Sequence, residues 1–270
     1  MAFSGSLAAL LDPSCSAQAV RGNIPFYLSP REVQTSASLC DETGENAWKN
    51  FFKRWPVVYD ILVFLIAPCF FTGLTPKKFI ARFVPVGIIL NAGSGVRRLS
   101  PRCLNVDLFP FEGVDVVSDL QSLPFRDSVF DALTCDQVLE HVQHPTAVCR
   151  ELSRVVKSGG LLHIASPFMF PWHPSPSDFT RWTQEGLVSL FPGCLLVEQG
   201  VLAGPFSALN GLLPAFFATI LCFGSHSLQI VLQYLFLVLL FPLKFFDMIF
   251  ARLPGAELCS ANFYVVLRKA

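Results

Sequence analysis

Between residues 86 and 200, short β-branched runs alternate with helix-period patterns, and this rhythm leaves few architectures open. Two parallel neighbouring strands need a crossover, usually a helix, so the alternation predicts a parallel sheet in an α/β layer fold. Strands are expected near 86–91, 103–107, 115–118, 131–135, 161–166 and 194–199, with a last one at 262–268. One helix is well marked at about 145–156. Pro145 suits a first helical position, Val148, Leu152 and Val155 share a face, and Gly159-Gly160 stop it. A second helix is expected near 183–191, with Thr183 as its N-cap.

Chemistry-bearing residues fall at the predicted strand ends. Gly93-Ser94-Gly95 follows the apolar run Val86-Gly87-Ile88-Ile89-Leu90, where glycines let a backbone approach a ligand too closely for a Cβ. Alone, such a pair equally describes an ordinary tight turn. The second strand ends in Asp107, whose carboxylate can accept both hydroxyls of an adenosine ribose. The third ends in Asp119-Leu120, an acceptor for an adenine amino group beside an apolar side chain that can pack on its ring. Either aspartate alone is more often a cap or turn residue. Three such features on three successive strands point to a nucleoside ligand.

At this point the chain resembles a known family. Leu123-Pro124-Phe125-Arg126-Asp127-Ser128-Val129-Phe130-Asp131 looks like the L-P-F-x-D-x-S-F-D segment of the type 11 class I methyltransferases. Val138-Leu139-Glu140-His141-Val142 and Glu151–Gly160 resemble that family's V-L-E-H-V and E-x-x-R-V-L-K-P-G-G stretches. The resemblance covers about 86–191 and the terminal strand. It implies a Rossmann-like α/β fold: a seven-stranded sheet with an antiparallel last strand, and S-adenosylmethionine (SAM) across the C-terminal strand ends. By position, Asn91, Gly93 and Gly95 would line the methionine end of SAM, Asp107 the ribose, and Asp119-Leu120 the adenine. Cys135, Asp136 and Gln137 would sit near the sulfonium. Methyl transfer is an in-line displacement on an activated electrophile, so orientation and water exclusion are the enzyme's main contributions.

Two departures from the family pattern stand out. Asn91 replaces its usual acid, and Val96-Arg97 replace its third glycine. Only 15 residues separate Asn91 from Asp107, so the helix after the first strand must be very short or absent. These departures motivate an alternative, a methyltransferase-fold binding protein at a membrane with weak or no turnover. A nicotinamide-dependent oxidoreductase is disfavoured by the missing glycine and helix. The stretch Pro171–Thr183 resembles the H-x-x-P-x-D-x-x-R-x-T segment of a subgroup of the family. It offers His173 as a general base and Asp178/Arg181 as a positioning pair, or, equally well, a local ion pair in a proline-stiffened loop. His141 reads as a structural helix residue.

Composition places the remainder. Twenty basic and 20 acidic residues cancel, which gives no electrostatic reason to expect nucleic acid. Hydrophobic residues make up 52% and charged ones 15%, so an apolar excess has to be housed somewhere. No Asp, Glu, Lys or Arg occurs between Glu198 and Lys244. Helical runs Phe206–Phe223 and Leu228–Leu243 fit there, reaching roughly 27 and 24 Å against a hydrocarbon core of about 30 Å. Both flanking strands belong to one sheet, so the insert must leave and return on the same side, as a helical hairpin does.

Lys49, Lys53, Arg54, Lys77, Lys78, Arg82, Lys244 and Arg252 flank the apolar regions, as contact with anionic headgroups would require. A soluble lid over an apolar pocket is the alternative to membrane contact through 206–250 and 57–72. Either favours a small, apolar or lipid-like acceptor, and the membrane reading makes the protein cytoplasmic and membrane-associated. The expected organisation is an irregular segment at 1–45, with its first 22 residues unstructured, and an apolar, basic helical segment at 46–83. The methyltransferase domain follows at 84–200 and 260–270, with the hydrophobic insert at 201–259. Nine dispersed cysteines without paired spacing read as reduced thiols and predict no metal site. Gly22–Leu28 looks like the tail of a zinc ribbon in some relatives, but only Cys15 precedes it, too few ligands for zinc.

Overall fold

The computed structural model describes residues 3–21, 24–28, 67–174 and 177–270. Its amino-terminal part holds helix α1 (Leu7–Leu10), strands β1 (Ala19–Arg21) and β2 (Ile24–Phe26), and helix α2 (Pro76–Phe83). Strands β3 (Ile89–Ala92), β4 (Cys103–Asp107), β5 (Val116–Val117) and β6 (Phe130–Asp136) follow. Next come helix α3 (Pro145–Val155), strand β7 (Val156–Pro167), helix α4 (Gln184–Ser189) and strand β8 (Cys194–Ala203). Helices α5 (Pro205–Leu221), α6 (His226–Leu240) and α7 (Asp247–Phe250) precede strand β9 (Asn262–Lys269).

All described strands join one sheet in the order β1-β2-β5-β4-β3-β6-β7-β9-β8. From β5 to β8 this has the seven strands anticipated, parallel except where β9 runs antiparallel to β7 and β8. The sheet nevertheless has nine strands. The extra two, β1 and β2, form a hairpin, and Phe26 of β2 pairs with Val117 of β5. The first residues are therefore not the unstructured tail expected. Leu10 is buried in the main core, its carbonyl accepts from Arg126 N at 3.0 Å, and Arg126 Nε donates to the Leu11 carbonyl at 2.8 Å.

The core lies between the sheet and its helices. Helix α3 presents Val148, Cys149, Leu152 and Val155, all fully buried, against the sheet. At about 25 cal/mol per Å² of apolar area, each such aliphatic side chain contributes roughly 1.5–3 kcal/mol. On the other face, α2 buries Phe79 and Ile80 beside Ile89, Ala132 and Val266. No helix connects β3 to β4, as the short spacing foretold; residues 93–102 form turns instead.

Helices α5 and α6 stand between β8 and β9. Ser225 caps α6 by accepting from Leu228 N. The base of the pair is fastened by Asp247, whose carboxylate accepts from Phe206 N at 2.9 Å and Ser207 N at 2.8 Å at the start of α5. A negative charge there satisfies otherwise unpaired N–H groups and meets the positive end of the helix dipole. Gly204 is required for this, because a Cβ on it would lie 2.5 Å from Asp247 Oδ1.

Residues 46–66 of the expected amino-terminal helical segment lie outside the described residues, as does the 57–66 part of its expected membrane contact. Residues 67–73 are not helical; they form a strap across the base of the helical pair. Phe70 N donates to Ser207 Oγ, Asn210 Nδ2 to the Pro68 carbonyl, and Lys244 Nζ to the Ala67 carbonyl at 2.7 Å. Lys244 is thus buried, and not one of the headgroup-facing cations expected.

Candidate active site

Strand register sets which residues meet. Ala92 pairs with Val106 and Cys135, Asp107 with Val117, and Asp136 with Ala165. The loops after β3, β4, β5 and β6 therefore emerge along one edge of the sheet, where α/β folds bind ligands. Gly93, Asp107 and Asp136 share that edge.

The glycine loop closes on Asp107. Gly93 and Gly95 have φ of +66° and +53°, which glycine adopts without a Cβ penalty. A Cβ on Gly93 would lie 2.3 Å from Val138, whereas one on Gly95 would meet open space. Gly95 N donates to Asp107 Oδ2 at 2.7 Å, and Phe109 N to Asp107 Oδ1 at 3.0 Å. Burial raises the Asp107 pKa, while these two amides oppose that rise.

Asn91 is buried and consumed by its surroundings. Its Nδ2 donates to Asn105 Oδ1 at 3.0 Å and to the Arg97 carbonyl at 3.2 Å. Asn105 Nδ2 donates to the Arg97 and Gly113 carbonyls, and Arg98 binds Asp115 at 2.7 Å. This polar staple holds residues 93–102 where a helix would otherwise do so. An acid at 91 would place a second carbonyl-type acceptor against Asn105 Oδ1 and the Arg97 carbonyl, which explains the amide. Asp119 accepts from the backbone and side-chain amides of Gln121. Leu120 is taken up by the main core.

Beyond β6 the site becomes buried and underpartnered. Gln137 has φ of +57°, an uncommon conformation for a residue with a Cβ and one that costs about 1–3 kcal/mol. Its Oε1 accepts from Asn262 Nδ2 at 2.6 Å. Asp136 Oδ1, Gln137 Nε2 and both Glu140 oxygens are buried without a hydrogen-bond partner among the described residues. Burial pushes the Asp136 carboxyl up to about 6 and that of Glu140 to about 8. Sequence reading passed over Glu140; its signal was an acid set within the apolar run Val138–Val142.

The loop after β7 folds back over the Leu139–His141 turn. Phe179 N donates to the Glu140 carbonyl at 2.7 Å, and His141 Nδ1 lies 2.5 Å from the Ser177 carbonyl. Asp178 is bound by both terminal nitrogens of Arg181 and by His173 N, and the guanidinium holds its carboxyl down at about 2. It is therefore ionised and fixed at neutral pH. Arg181 also donates to the Phe170 and Pro171 carbonyls, so the pair shapes the loop. Burial lowers the His173 pKa, leaving a neutral imidazole whose ring packs edge-on against His141 at 5.2 Å. Loop residues Phe170, Trp172, Asp178, Phe179, Thr180 and Arg181 line an open cavity of about 300 Å³.

Residues 98–164 match the type 11 methyltransferase domain family. A 37-residue stretch is 49% identical to the ubiquinone biosynthesis O-methyltransferases of Xanthomonas oryzae pv. oryzae. It spans 14% of this chain and 16% of those relatives. Among solved structures, the domain is similar to Haemonchus contortus phosphoethanolamine N-methyltransferase 2 (TM-score 0.49, 15% identity, 87% of this chain and 60% of that one). It is also similar to the geranyl diphosphate C-methyltransferase of Streptomyces coelicolor A3(2) (TM-score 0.43, 10% identity, 72% and 77%). Both were solved with S-adenosylhomocysteine. The residues along this edge fit a ligand with the groups of SAM. Asp107 offers a fixed carboxylate, Gly95 leaves open space, and the orphaned Asp136 oxygen and Gln137 amide match a ligand carrying an ammonium and a carboxylate.

Proposed function

We propose that this protein transfers the methyl group of SAM to a small, hydrophobic or lipid-like acceptor, through oxygen or carbon, at a membrane surface. The observation that carries the reading is the closure of the Gly93–Gly95 loop on Asp107 beside the orphaned polar atoms of Asp136 and Gln137. SAM supplies a methyl group already activated on a sulfonium. Asp107 takes the ribose hydroxyls, Gly93 and Gly95 bring backbone close to the methionine end, and Asp119 meets the adenine. Asn91 acts through the loop it staples. Asp136 and Gln137 orient the methionine portion. On the acceptor side, His173 is the neutral group that meets the acceptor, and Asp178 with Arg181 positions it.

The reading at the membrane is supported by where the apolar side chains of α5 to α7 point. Phe216, Phe223, Val231, Leu235, Leu239 and Ile249 are each more than half exposed, whereas a lid over a pocket would turn them inward. His226–Phe250 is long and apolar enough to cross a bilayer.

Titration calorimetry with SAM tests the cofactor site. Asp107→Ala removes a buried charge-assisted acceptor and is expected to weaken binding by about 100-fold or more, at roughly 1.5–3 kcal/mol for each hydroxyl lost, with the circular dichroism unchanged. Unchanged affinity refutes the assignment. The rival, a binding protein without turnover, is motivated by Asn91 being consumed in the staple. It is distinguished by incubating the protein with labelled SAM and membrane extract: SAM binding without labelled product favours it.

A further inference from the structure

We propose that Glu140, His141 and His173 form a binding site for one divalent transition-metal ion beside the methyl-transfer centre. One donor atom from each of the three side chains lies within 4.8 Å of the others, and Glu140 Oε1 is 3.8 Å from His141 Nε2. Glu140 is fully buried, and neither of its oxygens has a hydrogen-bond partner among the described residues. A buried carboxylate needs hydrogen bonds or a cation, and the immediate neighbours of Glu140 offer no bonded donor. Arg181, a nearby cation, is already committed to Asp178.

The imidazoles are set for ligation. His141 Nδ1 faces the Ser177 carbonyl at 2.5 Å and His173 Nδ1 faces the Pro171 carbonyl at 3.0 Å. A carbonyl accepts from a ring N–H, so these contacts favour a proton on Nδ1 and a lone pair on Nε2, although His173 Nδ1 also lies 3.4 Å from Arg181 Nη2, which can only donate. Carbonyls that orient ligating histidines in this way are the usual surroundings of a protein-bound metal.

Two imidazoles and a carboxylate suit zinc and its neighbours rather than magnesium or calcium. Ligand distances of about 2.0–2.1 Å give donor separations near 3.3 Å, so the cluster contracts by up to about 1.5 Å on binding. His173 sits on the loop and can supply that movement. Three protein ligands leave an open position, and an oxygen of the acceptor fills it, so that with the ion bound His173 meets the acceptor through the ion. Only this last role rests on the methyl-transfer reading. No cysteine belongs to the site, which is why cysteine spacing predicted no metal.

Cobalt(II) is the probe, added to the full-length protein after chelator treatment. The expected result is one ion per chain, with visible d–d bands and no sulfur-to-cobalt charge-transfer band, so that free cysteines are not mistaken for ligands. Glu140→Gln and His173→Ala are each expected to weaken that binding by at least about tenfold without changing the circular dichroism. A thiolate signature, or equal affinity in both variants, overturns the site. Wild-type protein that binds SAM but no cobalt removes the metal site and leaves the cofactor reading standing. Protein that binds cobalt at these residues but no SAM supports the site and removes that reading.

Discussion

His163 lies in the middle of the sheet with no acidic partner among the described residues. Its Nε2 donates to the Leu74 carbonyl at 2.7 Å, its Nδ1 is unpaired among the described residues, and its ring stacks on Tyr264 at 6.0 Å. Burial lowers its pKa from 6.5 to about 4. The unfolded chain therefore binds a proton more readily than the folded one. The stability associated with a neutral His163 is present above about pH 6.5 and is lost as pH falls towards 4, by up to about 3 kcal/mol. Urea unfolding followed at about pH 7 and pH 4.5 is expected to show this loss, and His163→Gln to flatten it. An unchanged slope in the variant rejects the assignment. Nothing in the sequence marked this histidine, because an alternating strand pattern does not say which strand is central. That Asp107 ends a strand was legible, because Leu104 and Val106 alternate before it; that it accepts from the Gly95 amide was not, because a glycine pair does not say how its turn folds. The burial of Asn91 in a staple depends on Asn105 and Gly113, whose pairing only the strand register decides.

At the scale of elements, spacing was the best guide. The interval between Asn91 and Asp107 was too short for a helix, and the apolar insert holds two helices where two apolar runs were expected to form them. An extended patch was expected at Ile24–Leu28 and contains β2, but its partner β1 escaped because a three-residue strand carries too little pattern to read. Ala203 pairs directly with Asn262, so the ends of the insert are already neighbours in the sheet. Replacing residues 205–260 with a short turn is therefore expected to keep the sheet folded while abolishing sedimentation with anionic vesicles. Loss of the far-ultraviolet sheet signal would mean that the insert is part of the core. Full-length protein that stays in the supernatant without detergent would remove membrane contact altogether.

For the molecule as a whole, the important relation is between the insert and the site. Asn262, where the chain returns from the insert, pairs with Pro167 of β7 and donates to Gln137. A Cβ on Gly211 of α5 would lie 3.1 Å from Pro171, which opens the loop bearing His173. The apolar helices thus rise from the sheet edge that carries the site. The expected topology already required this, because a chain leaves a parallel strand at its C-terminal end and an antiparallel last strand starts from that same edge.

If those helices rest in lipid, an acceptor dissolved there reaches the protein by lateral diffusion, without first crossing water. Turnover is then governed by crowding in two dimensions. Diluting the acceptor with inert phospholipid, at fixed bulk concentration, is expected to slow methylation in proportion to its mole fraction. A rate indifferent to that dilution would mean that the acceptor arrives through the aqueous phase.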